Sequence, residues 1–275
     1  MHPILFKIGP VPVYSFGLMM GIGFIAASAV LSKELKRKGI DPNLGSTITL
    51  LAILFGLAGS KLLFLIEDWN EFIRQPSMAF SPGGLTWYGG LILATVAIWM
   101  YSRKRGIPFL RIADSAAPAL MLGYGIARLG CHFSGDGDYG TPTDLPWAAV
   151  YSNGTYPPSL AFKDFPDIVQ KYGINGIVPD TLTVHPTPIY EFLAGVLLFF
   201  VLWKLRKNLA PDGKLFALYL ILTGIARFLV EFIRINPRLL LGLSEAQLIS
   251  FAIVIIGLVG FSTLSNNKEA LAAST

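Results

Sequence analysis

Apolar residues in this chain come in long blocks, not at alternating positions. Seven blocks stand out, at about residues 13–31, 45–66, 84–101, 112–130, 187–203, 215–233 and 242–264. Each is close to the ~20 residues that a helix needs to cross ~30 Å of hydrocarbon. Runs of about ten alternating residues, the mark of an outer-membrane barrel, are absent from the sequence. The pattern predicts an all-α integral membrane protein with seven transmembrane helices. Residues 1–12 are too short and too Pro-rich to cross and read as an arm in the interface.

The links between blocks differ in charge. Lys33, Lys36, Arg37 and Lys38 follow the first block, Arg103, Lys104 and Arg105 the third, and Lys204, Arg206, Lys207 and Lys214 the fifth. The links after the second, fourth and sixth blocks are acidic or sparse. The bias of Lys and Arg toward the cytoplasm places the N-terminus outside and the C-terminus inside. Seven spans satisfy it; six or eight put basic links on both sides. Residues 132–186 then form a large external segment, periplasmic in a Gram-negative cell, within one polytopic domain of residues 1–275. Its aromatics Tyr139, Trp147, Tyr151 and Tyr156 suit a segment resting on the bilayer surface. The first block lacks a basic n-region and a small-residue cleavage site, so it is expected to stay as a span.

Composition agrees. The chain is 53% hydrophobic and 14% charged, against about 25% charged in soluble domains. The net charge of +5 sits beside the spans, which points to lipid headgroups and not to nucleic acid. A lone cysteine, Cys131, excludes an internal disulfide and any CxxC site. No strong internal repeat is visible, so an inverted-repeat transporter is not indicated. The clustered glycines fit close helix packing instead.

Charges inside the blocks carry the chemistry. They are Lys61, Asp114, Arg128, Glu191, Arg227 and Glu231, and each needs a partner or a ligand. For Lys61 and for Asp114 a salt bridge inside the bundle is the favoured reading. Glu231 stands four residues after Arg227 and can neutralise it. Arg128 has Tyr124 and His132 at its i±4 positions, so no acid is local to it. An arginine at the outer end of a span suits bidentate binding of a phosphate. His185 and Glu191 flank the prolines of HPTPIYE, at the mouth of the fifth span, and can face one cavity. In GGLTWYGG, Tyr88 reads either as an interfacial aromatic or as an inward phenol. Asp136-Gly137-Asp138 lacks the calcium-loop pattern; a solvated loop, or one bonded to Arg128, is expected. No metal or other cofactor is indicated.

Together these stretches resemble the prolipoprotein diacylglyceryl transferase family. IGPVPVYSFGLMMGIGF, GGLTWYGGL, ARLGCHFSGDGDYG followed by TPTDLPWA, HPTPIYE and ARFLVEFIR look like that family's motifs, in the same order, over about residues 3–237. The resemblance implies transfer of a diacylglyceryl group from phosphatidylglycerol to the lipobox cysteine of a preprolipoprotein, in the bacterial cytoplasmic membrane, toward the outer leaflet. Glycerol phosphate leaves and a thioether forms. It implies that Arg128 and Arg227 are the essential arginines. Tyr190 and Glu191 match the YE pair, Glu231 and Arg234 match the EFxR stretch, and Gly140 closes the signature. His185, Tyr88, Cys131 and Phe16 complete the expected site. Four positions depart from the family pattern: Tyr88 stands for histidine, Cys131 for asparagine, Phe16 for tyrosine and Lys61 for arginine. Those exchanges motivate two alternatives, a transferase with another acceptor or lipid donor, and a non-catalytic lipid-binding or transport protein.

Overall fold

A computed structural model of the chain is mostly helical and describes residues 1–81 and 83–273. A hairpin of β1 (Ile4–Ile8) and β2 (Val11–Tyr14) leads into α1 (Ser15–Arg37). Next come α2 (Leu44–Glu67), the short α3 (Trp69–Arg74), a 3-10 turn at Pro76–Phe80, α4 (Trp87–Lys104) and α5 (Phe109–Ser134). The polar segment holds β3 (Ala149–Val150), α6 (Pro158–Ala161), α7 (Pro166–Tyr172) and β4 (Thr183–Val184). After it come α8 (Thr187–Leu205), α9 (Lys214–Val230), a hairpin of β5 (Arg238–Leu240) and β6 (Leu243–Ser244), and α10 (Glu245–Ala273).

Seven long helices therefore fall on the seven apolar blocks. Four of them, α1, α2, α8 and residues Glu245–Ser265 of α10, are long and apolar enough to cross a membrane. The other three are α4, which ends in Arg103 and Lys104, α5, which carries Asp114 and Arg128, and α9, which has 17 residues. The three small antiparallel hairpin-like sheets are additions to the all-helical expectation. They form where Pro and Gly interrupt the chain. The β1–β2 turn uses Gly9 at φ 59° and the β5–β6 turn Gly242 at φ 72°, a region glycine enters without a Cβ clash. The helix α9 stops at Val230, three residues before the apolar block ends, so Arg227 lies in its last turn.

The described chain falls into two compact units, residues 28–115 and residues 1–27 with 116–275. In the first, α2 and α4 cross with almost no side chain between them. A Cβ on Gly59 would lie 2.3 Å from the Gly89 carbonyl oxygen, and one on Gly89 the same distance from that of Gly59. Small residues let helix backbones meet where water exclusion gives no help. Asp114, buried at the start of α5, pairs with Lys38 at 3.4 Å. Lys61 does not pair with it. Its ammonium donates to the carbonyls of Ser81 (3.0 Å) and Gly83 (2.8 Å) and lies 5.1 Å from the Phe64 ring centre. Lys61 thus ties the loop before α4 down onto α2.

In the second unit the polar segment has a small core of its own. Tyr139 and Tyr151 stack at 4.4 Å and are fully buried with Phe162, Val178 and Val184. Only Trp147 and Tyr156 of the four expected surface aromatics are exposed. Tyrosine rings bury when their hydroxyls find partners: that of Tyr139 donates to the Tyr156 carbonyl at 2.8 Å, and that of Tyr151 lies 2.9 Å from His132 Nδ1.

The α2–α4 crossing makes a direct prediction. Gly89→Val should destabilise the purified protein by about 3 kcal/mol, as overpacking does, read as a lower melting temperature in detergent. An unchanged melting temperature contradicts the backbone-to-backbone crossing.

Candidate active site

The second unit gathers three arginines and three carboxylates. Arg128 comes from α5, Asp138 from the loop after it, Glu191 from the first turns of α8, Arg227 from the end of α9, and Glu231 and Arg234 from the segment that follows. Glu191 is the centre. Its Oε1 accepts from Arg227 Nη1 at 2.9 Å and from the Tyr124 hydroxyl at 2.5 Å. Its Oε2 accepts from Arg234 Nη1 at 3.1 Å and lies 3.5 Å from Arg128 Nε. Asp138 bridges the other faces of two of these cations: Arg128 Nη1 donates to one carboxylate oxygen and Arg234 Nη2 to the other. Glu231 Oε2 completes the set, 3.2 Å from Arg227 Nη2 and 3.7 Å from Arg234 Nε.

The formal charges balance, but their depths do not. Glu191, Glu231 and Arg234 are buried to within 6% of fully covered, whereas Arg128, Arg227 and Asp138 are 17%, 26% and 30% exposed. The accessible layer thus carries two positive charges and one negative. The buried layer carries the reverse and holds the arginines in place. Asp138 feels both effects. Burial pushes its carboxyl up, but Arg234 and Arg128 outweigh that and hold it down at about 2. Asp136, two residues earlier, goes the other way, raised by burial and by the charge of Asp138.

Arg128 has no acid at i±4, as expected, and the expected bond between it and the Asp136-Gly137-Asp138 loop is present. Its acids come from a loop and from another helix, which i±4 spacing along α5 cannot reveal. Arg128 also lies 5.0 Å over the Tyr124 ring. Glu231 does neutralise Arg227, and does so as one member of the larger cluster. Gly140 is placed for close approach: a Cβ there would lie 2.4 Å from the Ile233 carbonyl oxygen and 3.0 Å from His185 Cβ. Its N–H donates to the His185 carbonyl at 2.9 Å, and its backbone bridges to that of Arg234. Gly140 thus stitches the signature loop to both the HPTPIYE segment and the end of α9.

His185 and Tyr190 face elsewhere. They line an open, mostly apolar cavity of about 760 Å³ with His132, Trp147, Ile189 and Leu193. Tyr190 accepts from Trp147 Nε1 at 2.8 Å and lies 3.3 Å from His185 Nδ1. Adjacent residues on a helix point about 100° apart, so Tyr190 faces this cavity while Glu191 faces the arginines. Burial pushes the His185 imidazole down from its ordinary 6.5, toward the neutral form. Cys131 is buried, with its Sγ 3.9 Å from Arg128 Nη1. The ligand atoms of Cys131, Asp136 and Asp138 lie within 4.8 Å of one another, but both Asp138 oxygens are already engaged by arginines, so a metal would have to displace them. Phe16 stands at the start of α1, its backbone against Gly130 and its ring partly exposed. Tyr88 belongs to the other unit, in the first turn of α4, edge-on to Trp87 at 5.5 Å. Tyr124 was the residue that sequence reasoning missed. Its hydroxyl has no sequence signal, since its partner is 67 residues away.

Fold and site define a polytopic membrane protein built around a buried arginine–carboxylate centre. The family model described as prolipoprotein diacylglyceryl transferase matches residues 3–263, and the chain belongs to that family. It is 32% identical over 265 residues to the phosphatidylglycerol–prolipoprotein diacylglyceryl transferase of Clostridium tetani, covering 95% of this chain and 97% of the relative. The same named enzyme of Dehalococcoides mccartyi is 32% identical, covering 94% and 92%. That of Finegoldia magna is 30% identical, covering 94% of each.

If Glu191 is the keystone, Glu191→Gln should cost about 3–5 kcal/mol of stability, as removal of one partner from a buried ion pair does. Thermal unfolding in detergent checks this, and a melting temperature equal to wild type contradicts the shared-carboxylate arrangement.

Proposed function

We propose that this chain transfers the diacylglyceryl group of phosphatidylglycerol to the lipobox cysteine of preprolipoproteins, within the bacterial cytoplasmic membrane. The observation that carries the reading is the accessible pair Arg128 and Arg227, fixed from behind by Glu191 at 3.5 and 2.9 Å. Seven spans with the N-terminus outside put this pair at the outer leaflet, where a secreted precursor meets the lipid.

The headgroup phosphate docks on Arg128 and Arg227, taking up the donors that Asp138 leaves free or yields. The peptide thiolate attacks the glycerol carbon that bears the phosphate ester. The carbon–sulfur bond forms, the carbon–oxygen bond breaks, and the electron pair leaves on glycerol phosphate. The phosphodiester carries one negative charge and the leaving monoester approaches two. Two guanidinium groups held in advance are therefore worth more in the transition state than in the bound lipid. No cofactor enters this displacement. His185, neutral near pH 7 and on the wall of the cavity, takes the thiol proton, with Tyr190 steadying its ring. Tyr190, Cys131, Phe16 and Gly140 shape the walls, and Glu231 and Arg234 back the phosphate site. Tyr88 stands where the family has histidine and is assigned no step.

Two tests follow. Arg128→Ala or Arg227→Ala should lower transfer of labelled diacylglycerol to a lipobox peptide by about 10²–10³-fold, the scale of losing one oxyanion donor. Activity within a few-fold of wild type rejects the phosphate roles. The pH profile tests His185. Since its pKa is lowered, the base form is present above that value, and wild-type activity should fall only below the ordinary 6.5. His185→Asn should lose about 10²-fold at pH 7 and recover toward pH 9, where the peptide thiol, with a pKa of about 8.5, ionises unaided. A defect independent of pH contradicts the base role.

A further inference from the structure

We propose that Ser244 and Asn236 are positioning residues that set Arg227 and Arg234 through Glu231, so that the helix cap of α10 is part of the catalytic apparatus. The inference rests on the transferase reading above.

Glu231 is fully buried, and its two oxygens face different ways. Oε2 turns to Arg227 and Arg234. Oε1 accepts from the Ser244 hydroxyl at 2.8 Å and from Asn236 Nδ2 at 2.5 Å. Oε2 makes no hydrogen bond and meets the two arginines only as ion pairs, which leave the carboxylate free to rotate about its last bond. Two donors on Oε1 fix that rotation, and with it the line from Oε2 to both guanidinium groups.

Ser244 has a second task. Ser244-Glu245-Ala246-Gln247 is a capping box at the start of α10. The Ser244 N–H donates to Gln247 Oε1 at 3.0 Å, and the Gln247 N–H donates to Ser244 Oγ at 3.3 Å. The Ser244 hydroxyl therefore accepts from the helix and donates to Glu231. The same Gln247 Oε1 also accepts from Arg238 Nη1 at 2.8 Å, and Arg238 Nη2 donates to the Glu231 carbonyl at 3.2 Å. Both Ser244 and Gln247 are fully buried. A cap needs the accepting role alone. A donating bond to a buried carboxylate that holds two arginines serves the arginines.

The two roles separate by substitution. Glycine is nearly as good an N-cap as serine but has no hydroxyl, so Ser244→Gly keeps the cap and drops the donor. Ser244→Thr keeps both. Asn236→Ala removes the other donor without touching the cap. Steady-state transfer is measured for wild type and variants, varying phosphatidylglycerol and lipobox peptide separately, with melting temperature as the check on folding. Ser244→Gly and Asn236→Ala should each lower kcat/KM for phosphatidylglycerol about tenfold or more, as misplaced catalytic groups do. KM for the peptide should stay within twofold, and Ser244→Thr should stay near wild type. A folded Ser244→Gly protein with wild-type kinetics for the lipid overturns the proposal. So does a rise in the peptide KM as large as the fall in kcat/KM for the lipid. If Ser244→Gly does not fold, Asn236→Ala decides in the same way. Absence of transfer by the wild-type protein instead overturns the functional reading on which this rests.

Discussion

A single buried carboxylate, that of Glu191, sets the terms for the half of the chain that holds the site. An ionised carboxylate out of water costs several kcal/mol unless cations and donors surround it. Glu191 meets that cost with donors from three other segments: Tyr124 and Arg128 of α5, Arg227 of α9 and Arg234 beyond it. Each arginine is then itself too buried to stand alone, and Asp138 and Glu231 answer that second demand. The result is a closed set of six charges in which no member can be removed without leaving another exposed to a poor dielectric. The HPTPIYE segment makes this possible. Its prolines start α8 at Thr187, and the carboxylate then falls one turn inside the helix.

The charges of the network are sorted by depth. The buried layer fixes geometry, and the accessible layer presents two guanidinium groups with one competing aspartate. In the proposed reading, arginines positioned before the lipid arrives need no reorganisation when charge develops on the leaving phosphate. Support for them extends further than the six charges. The Ser244 cap passes order from the first turn of α10 to Glu231, and Gly140 locks the loop bearing Asp138 to the backbone beside Arg234. An apolar cavity with His185 and Tyr190 on its wall lies apart from the arginine–carboxylate cluster, and in the proposed reading it separates proton removal from phosphate binding.

Much of this was legible in the sequence. Block length located the seven long helices, four of which are long and apolar enough to cross a membrane. Charges within those blocks located Arg128, Glu191, Arg227 and Glu231, because isolated charges in such places are costly. Pairing was another matter. Local spacing found Arg227 with Glu231, but the partners of Arg128 come from a loop and a different helix. Such pairs are set by tertiary packing, which periodicity does not encode. Tyr124 stayed hidden for the same reason, and Tyr139 and Tyr151 read as surface aromatics because their core forms only when distant parts of the polar segment meet. The end of α9 was misplaced because Phe228, Leu229, Val230, Phe232 and Ile233 keep the stretch around Glu231 mostly apolar across the point where the backbone leaves the helix. There the stop comes from hydrogen bonds of Arg238 to the Glu231 and Phe232 carbonyls, bonds with no local hydrophobic signature.

The central claim is that the arginine centre releases glycerol phosphate as a thiol takes the diacylglyceryl group. Purified protein, a lipobox peptide and phosphatidylglycerol labelled in its headgroup glycerol test it most directly. The account predicts one labelled glycerol phosphate released for each thioether formed. Thioether with free glycerol as the by-product, or glycerol phosphate released without any thioether, would contradict it.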